Sequence, residues 1–120
     1  MAIKRIRSVS PFEPKVGYCR AVVAGGWVHV SGTVGDGDTV QEQCAAALAK
    51  IEAALSEAGC NFADVVRVTY MLPRAPDFEA CWPVLRAAFG ENPPAATMVE
   101  CGLIETKYLI EIEVTALLPE

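Results

Sequence analysis

Residues 18–31 have the sequence YCRAVVAGGWVHVS, and this stretch decides how the first part of the chain folds. Gly25 and Gly26 separate two segments, 18–24 and 27–31, that are rich in β-branched and aromatic residues. A Gly-Gly pair readily adopts the positive φ angles that a two-residue hairpin turn requires. The stretch therefore predicts two antiparallel strands.

The segments on either side of this hairpin extend the pattern. Alternation at Ile3, Arg5 and Arg7 predicts an opening strand, followed by a turn at residues 10–14. After the hairpin, Thr39 can cap a helix that ends at Gly59. Apolar residues recur in this helix at steps of three and four positions, so we expect one face to lie in the core.

The second half of the chain predicts three more strands and a second helix. Residues 65–72 are β-branched and aromatic, and residues 97–101 and 108–117 predict two closing strands. Between them a helical pattern runs from Asp77 to Gly90, with Pro83 inside it. Because proline lacks the N–H that a helix interior needs, we expect a kink or a late helix start there.

The element order βββαβαββ indicates an α+β fold with a mixed six-stranded sheet and two helices on one face. We expect residues 1–120 to form a single domain, because 120 residues suit one core and no linker or repeat is present. Two helices cover only one sheet face. We expect the other face to be apolar, which favours oligomerisation.

Composition narrows the classes of function. The net charge of −5 disfavours a nucleic-acid partner, and no apolar run reaches the roughly 20 residues of a membrane span. The five cysteines have no close pair, which fits free thiols in the cytoplasm. Asp36, Asp38 and Glu42 lack the spacing of a calcium site, and there is no glycine-rich phosphate loop. We expect no metal and no cofactor.

Collinear blocks over nearly the whole chain resemble the RidA (YjgF) family of reactive-intermediate deaminases, also called the endoribonuclease L-PSP family. The blocks are GYCRAV at 17–22, VSG at 30–32, DVVRVT at 64–69, PA at 94–95 and IEIE at 110–113. The resemblance implies a chorismate-mutase-like RidA fold and a cytosolic homotrimer whose sheets form a central barrel. It also implies small-metabolite clefts between subunits, and cofactor-independent hydrolysis of reactive imines and enamines.

The same resemblance assigns cleft positions to this chain. Ala96, in Pro94-Ala95-Ala96, stands where the family's fingerprint has an arginine that binds the substrate carboxylate. Glu111 falls at the glutamate thought to orient or activate the attacking water. Ala96 places the chain in an arginine-lacking branch of the family.

Five further positions match the cleft of the family. Tyr18 matches the cleft tyrosine, and Ser31 with Gly32 match the pair that lines the pocket floor. Trp82 falls where many members have a small polar residue, and Met98 where they often have cysteine. Both departures predict a more apolar cleft.

Two charged candidates have structural alternatives. Glu111 could be a general base, or Arg67 on a neighbouring strand could form an ion pair with Glu111 or with Glu113. Arg20 shares a strand face with Tyr18 and could supply the charge that Ala96 lacks, or it could be a solvated or interface arginine.

The aromatic and thiol candidates also have alternatives. Tyr18 could bind ligand or lie at an interface, and Trp82 could stack on a flat substrate or pack in the core. We expect His29 to be a packed strand residue and Cys19 a buried thiol.

The leading hypothesis is a hydrolytic deaminase of a small imine, enamine or amino-muconate-type acid, with Glu111 positioning water. The alternative is a non-catalytic trimer that binds a small molecule, which the alanine at 96 supports. Ribonuclease activity is disfavoured by the acidic net charge.

Overall fold

A computed structural model describes residues 2–120, in which six strands form one mixed sheet. The strands are β1 (Lys4–Ile6), β2 (Ala21–Ala24), β3 (Trp27–Thr33), β4 (Val65–Leu72), β5 (Ala95–Glu100) and β6 (Glu111–Leu117). The helices are α1 (Phe12–Val16), α2 (Val40–Ala58) and α3 (Trp82–Phe89), with 3-10 turns at Phe62–Asp64 and Ala75–Cys81. The order of strands across the sheet is β1-β2-β3-β6-β4-β5. Only β4 and β5 pair in parallel, so the predicted mixed α+β sheet is confirmed.

The hairpin between β2 and β3 forms as its sequence predicts. Gly25 and Gly26 have φ angles of 58° and 84°, both in the left-handed region. Such angles match the twist of the flanking strands in a two-residue turn. The turn therefore fixes the register in which Ala24 pairs with Trp27.

The core lies between helix α2 and one face of the sheet. Ile51 and Leu55 of α2 are fully buried, as are Val28 of β3, Val68 of β4 and Ile112 of β6. The cap of α2 is also as expected, because the Thr39 side chain accepts a hydrogen bond from Glu42 N. The longest helix and the central strands thus share one apolar layer.

The opposite face of the sheet is uncovered, and its composition differs from the prediction. Trp27 and Leu117 are exposed and apolar, yet Arg67 and His29 are exposed on the same face. The prediction that this face is apolar was wrong, because polar residues alternate with the core residues of β3 and β6. The prediction of a packed His29 was also wrong, since its Nδ1 lies 3.4 Å from Thr115 Oγ1 at the surface.

The structure differs from the sequence prediction at four places. Residues 10–14 were expected to form a turn, but helix α1 begins at Phe12. Strand β2 begins at Ala21 rather than 18, and β5 spans Ala95–Glu100 rather than 97–101. Strand β6 begins at Glu111 rather than 108, because Gln43 of α2 binds the preceding backbone instead of a neighbouring strand.

Helix α3 shows the late start that Pro83 predicts. A 3-10 turn precedes it, and Pro83 lies in the first turn of α3, where its missing N–H costs nothing. Among residues 2–120, no helix is both long enough and apolar enough to cross a membrane. The extent of the domain, residues 1–120, stays a prediction.

Candidate functional site

A cavity of about 1010 Å³ lies beside the start of β6, and it gathers five of the predicted site residues. Helix α2, the segment around α1 and the loop before β6 form its other walls. The predicted residues that line it are Tyr18, Arg20, Ser31, Gly32 and Glu111. Residues far apart in the chain thus meet at one place.

Glu111 is half-buried at the first position of β6, and its carboxylate lies against Gly32 of β3. A Cβ atom built on Gly32 would overlap Glu111 Oε2 and lie 3.0 Å from Glu111 Cδ. The Glu111 carboxylate can therefore lie here only because Gly32 has no side chain. Burial raises the pKa of Glu111, the charge of Glu113 raises it further, and Arg20 opposes both effects.

Arg20 is buried beside this carboxylate and has a free donor. Its Nη2 donates to the carbonyl oxygen of Gly32 at 2.7 Å, whereas its Nε is buried without a hydrogen-bond partner among the described residues. The guanidinium carbon lies 5.8 Å from the centre of the Tyr18 ring. A buried donor without a partner is costly, so an acceptor on a bound molecule would stabilise it.

Hydrogen bonds to β3 hold the segment that carries Arg20, although this segment precedes β2. Ser31 N donates to the carbonyl oxygen of Arg20 at 2.9 Å, and Ser31 Oγ donates to that of Cys19 at 2.7 Å. Cys19 is buried, as expected, and its thiol lies 3.4 Å from the carbonyl oxygen of Ala21. Ser31 therefore lines the cavity and also fixes the backbone on which Arg20 sits.

The alternative interpretation of Glu111, an ion pair with Arg67, does not hold. The register of β4 and β6 pairs Arg67 with Thr115 and pairs Met71 with Glu111. The guanidinium of Arg67 donates to Thr97 Oγ1 on β5 instead. Within residues 2–120 the carboxylate of Glu111 forms no salt bridge.

The other three predicted residues lie at a different place. Ala96 and Met98 are on β5, two strands away from β6 at the sheet edge, and Met98 pairs with Tyr70. Trp82 opens α3, is 45% exposed, and packs edge-on against Phe78 at 6.3 Å between ring centres. Phe78 in turn packs on Tyr70 at 5.0 Å. Trp82, Ala96 and Met98 do not line the cavity of Glu111 within one chain.

Sequence reasoning missed several residues that line the cavity. Lys50 and Glu57 come from α2, and Lys107 and Tyr108 come from the irregular loop before β6. No motif marks these positions, because a loop and a distant helix face bring them together. Glu113 also lines the cavity. Its position two residues after Glu111 on β6 could have indicated this, because alternate residues of a strand lie on the same face.

Other chemistry is not built into the described residues. No group of three or more His, Cys, Asp and Glu residues in this part of the chain is arranged to hold a metal ion. The five cysteines are unpaired, and only Cys101 is exposed. The cavity therefore offers carboxylates, hydroxyl groups, the ammonium groups of Lys50 and Lys107, and the guanidinium groups of Arg7 and buried Arg20.

Three comparisons with known proteins agree with one another. The family model described as endoribonuclease L-PSP matches residues 9–118. The chain is similar to a crystal structure of a YjgF/YER057c/UK114 family member from Mycobacterium tuberculosis, with 40% identity and a TM-score of 0.94, covering 98% of this chain and 100% of that one. It is also similar to the human 2-iminobutanoate/2-iminopropanoate deaminase, at 27% identity over 96% of this chain and 90% of that protein. A RutC family protein from Pyrococcus abyssi is 34% identical over 82% of this chain and 84% of its own length.

Proposed function

The chain belongs to the endoribonuclease L-PSP family, also named RidA and YjgF, and from this premise we propose that it hydrolyses a small imine or enamine without a cofactor. One observation supports this proposal most directly. The carboxylate of Glu111, with a raised pKa, shares a cavity with the free donor of buried Arg20. Family members that carry the name 2-iminobutanoate/2-iminopropanoate deaminase support the reaction class.

In the proposed reaction Glu111 moves one proton twice. With the imine protonated on nitrogen, the Glu111 carboxylate takes a proton from water as the water oxygen bonds to the carbon, and the C=N π electrons move to the nitrogen, which becomes a neutral amine. The protonated Glu111 then returns a proton to that amine. The C–N bond breaks as the hydroxyl oxygen forms the carbonyl, and the departing ammonia takes the hydroxyl proton, so the reaction consumes one water per ammonium ion released. A base with a pKa raised towards neutrality suits both steps.

Arg20 is proposed to anchor the substrate. A guanidinium binds carboxylates well, and Arg20 has a free Nε where Ala96 offers no charge. Tyr18 would donate a hydrogen bond from its hydroxyl, and Ser31 and Gly32 would form the floor. The anchor thus comes from the segment before β2 instead of from β5.

We also propose that a cytoplasmic homotrimer completes the cleft. Trp82, Ala96 and Met98 lie at the β5 edge, so in this arrangement they would reach the cavity of a neighbouring subunit. These side chains are larger or less polar than those of arginine-bearing relatives. They would favour a flat, unsaturated acid such as an amino-muconate-type compound over small amino-acid-derived imines.

One alternative has a specific observation in its favour. The alanine at position 96 removes a substrate-binding charge, which fits a trimer that binds a small molecule without turnover. Ribonuclease activity has no such support, because the chain carries a net charge of −5.

Ammonia release from 2-iminopropanoate and from amino-muconate-type acids tests the proposal. We expect Glu111→Gln to lower kcat by at least about 100-fold, since general acid–base groups contribute that much. We expect Arg20→Met to raise KM with a smaller effect on kcat, because the anchor acts mainly in binding. The matched controls are Glu52→Gln and Arg86→Met, which remove the same charges from exposed helix positions.

Two outcomes would contradict the proposal, the first its mechanism and the second its activity. Ammonia release by Glu111→Gln at the wild-type rate would remove Glu111 from the mechanism. If the wild-type protein releases no ammonia but binds these acids in an Arg20-dependent way, the non-catalytic alternative is supported instead.

A further inference from the structure

Glu113 lies two residues after Glu111 on β6, and the two carboxylates share one face of the strand. Both line the cavity of about 1010 Å³. Glu113 also lines a smaller hollow of about 280 Å³ on the uncovered sheet face, together with His29 and Arg67. Glu113 therefore lies at the boundary between the proposed active site and the open sheet face.

The two carboxylates are not neutralised by ion pairs. Within residues 2–120 neither Glu111 nor Glu113 forms a salt bridge. The residue that β4 places opposite Glu113 is Thr69, and the guanidinium of Arg67 is directed to Thr97. Arg20 lowers the pKa of Glu111 and so opposes the effects of burial and of Glu113 on this carboxyl group.

Glu111 is half-buried and Glu113 is exposed on the same strand face, and two like charges placed in this way resist ionising together. Binding a proton to one carboxylate relieves the repulsion, so a pair takes up its first proton more readily than an isolated group. This effect agrees with the raised pKa of Glu111, for which burial is the largest cause and the charge of Glu113 the second.

We propose that Glu113 is a positioning residue that acts through Glu111, as the second carboxylate of a pair that sets how readily Glu111 takes up and releases a proton. This inference rests on the proposed function. In the hydrolysis Glu113 does not touch the reacting atoms. It makes Glu111 a stronger base for water and keeps its acid form available for the departing amine up to a higher pH than an isolated carboxyl group would allow.

Other charged groups face the pair, and the test has to separate them from Glu113. Arg20 comes from the segment before β2, His29 from β3 and Arg67 from β4. The remaining ionisable groups that line the cavity are Arg7, Tyr18, Lys50, Glu57, Glu105, Lys107 and Tyr108. A variant that changes only Glu113 leaves all of these in place.

The direct test is the titration of the Glu111 carboxyl carbon, followed by ¹³C NMR in the full-length protein without substrate. Assignment comes from the signal that is lost in Glu111→Gln. We expect Glu113→Gln to move the Glu111 titration to lower pH, because the repelling charge is gone, and Glu113→Asp to restore most of the wild-type behaviour. Glu52→Gln, which removes an exposed helix charge from outside the cavity lining, is expected to leave the Glu111 titration unchanged.

The pH dependence of kcat/KM for ammonia release provides a second readout. We expect its acid limb to move to lower pH in Glu113→Gln, with a several-fold lower plateau since the base is weaker. An unmoved Glu111 titration in Glu113→Gln, or an equal movement in Glu52→Gln, would overturn the proposal. Should Glu113→Gln fail to fold, Glu113→Thr replaces it with the residue type found at 69 and 115 on the same face.

The titration also separates this inference from the proposed function. A protein that releases no ammonia can still show the Glu113-dependent titration of Glu111, in which case only the proposed function fails. If the protein releases ammonia but the Glu111 titration is the same with and without Glu113, the proposed role of Glu113 is wrong and the proposed function stands.

Discussion

Two groups of candidate site residues differ in how completely one chain builds them. The cavity group consists of Tyr18, Arg20, Ser31, Gly32 and Glu111, and the edge group consists of Trp82, Ala96 and Met98. Antiparallel strands and hydrogen bonds hold the cavity group around one open cavity. The edge group lies on the outermost strand and on α3, where Trp82 and Ala96 are exposed.

This difference explains why a charge can be absent from the edge group while charges are present in the cavity group. A charge at exposed Ala96 would serve only a molecule that binds there, so its loss does not disturb the fold. Arg20 and Glu111 are packed against the backbone of β3. The cavity group therefore carries the charged residues of the proposed site, whereas the edge group carries no charge.

The largest expected effect comes from adding a methyl group to the cavity group. Gly32→Ala would drive the Glu111 carboxylate out of its place, because the new Cβ would overlap Oε2. We expect kcat for ammonia release to fall at least about 100-fold, as a displacement of about 1 Å suffices for such a loss. The free energy of unfolding should change little, since the displaced atom is the end of a flexible side chain.

Gly102→Ala is the control for this substitution, because its added Cβ would meet nothing within 4 Å. Kinetics and thermal unfolding of both variants check the prediction. Wild-type turnover in Gly32→Ala would mean that the contact between Gly32 and Glu111 has no part in catalysis.

A smaller effect is expected from restoring a charge to the edge group. Ala96→Arg should fold normally, because the side chain is exposed, and should lower KM for 2-iminopropanoate about tenfold, as one added carboxylate contact contributes on the order of 1.4 kcal/mol. Steady-state kinetics measure the change. Ala96→Gln is the control of similar length without charge, and an equal gain in Ala96→Gln would contradict the electrostatic explanation.

The smallest effect concerns stability. The pKa of Glu111 is raised in the folded state, so the folded chain holds more protons than the unfolded chain, and wild-type stability falls as the pH rises from the unfolded pKa through the folded one. Glu111→Gln removes this penalty. We expect it to be more stable than wild type at pH 7 by a fraction of a kcal/mol, because solvent screens a half-exposed charge.

The stability gain should vanish below about pH 4, near the unfolded pKa of glutamate. Urea unfolding at fixed protein concentration, with Glu52→Gln as the control, measures the difference at each pH. A gain that persists unchanged at low pH would show that packing, and not charge, causes it.

Much of the fold was predictable from local sequence. The Gly25-Gly26 turn, the cap at Thr39 and the first-turn position of Pro83 depend on residues only a few positions apart. The start of β6 was not predictable in this way. Residues 108–110 have the composition of a strand, yet Gln43 Oε1 accepts a hydrogen bond from Leu109 N at 2.7 Å, and 66 positions separate the two residues.

The candidate site was predictable as a set of positions but not as a geometry. Resemblance to the family named Glu111 and Ala96, and strand alternation placed Arg20 beside Tyr18. Nothing local indicated that Arg20 would bind the carbonyl of Gly32 and retain a free Nε. These features depend on how closely the segment before β2 approaches β3, and this distance cannot be read from the sequence.

The sequence by itself determined the six strands and the helices α2 and α3, the acidic charge and the alanine at position 96. Only the tertiary structure decided which side chains meet, because this depends on strand register. Arg67 pairs with Thr115 and not with Glu111 because β4 and β6 align in one register, with an irregularity between Val65 and Arg67. A shift of one residue would turn every side chain of a strand to the opposite face, so pairing across the sheet is a property of the assembled fold.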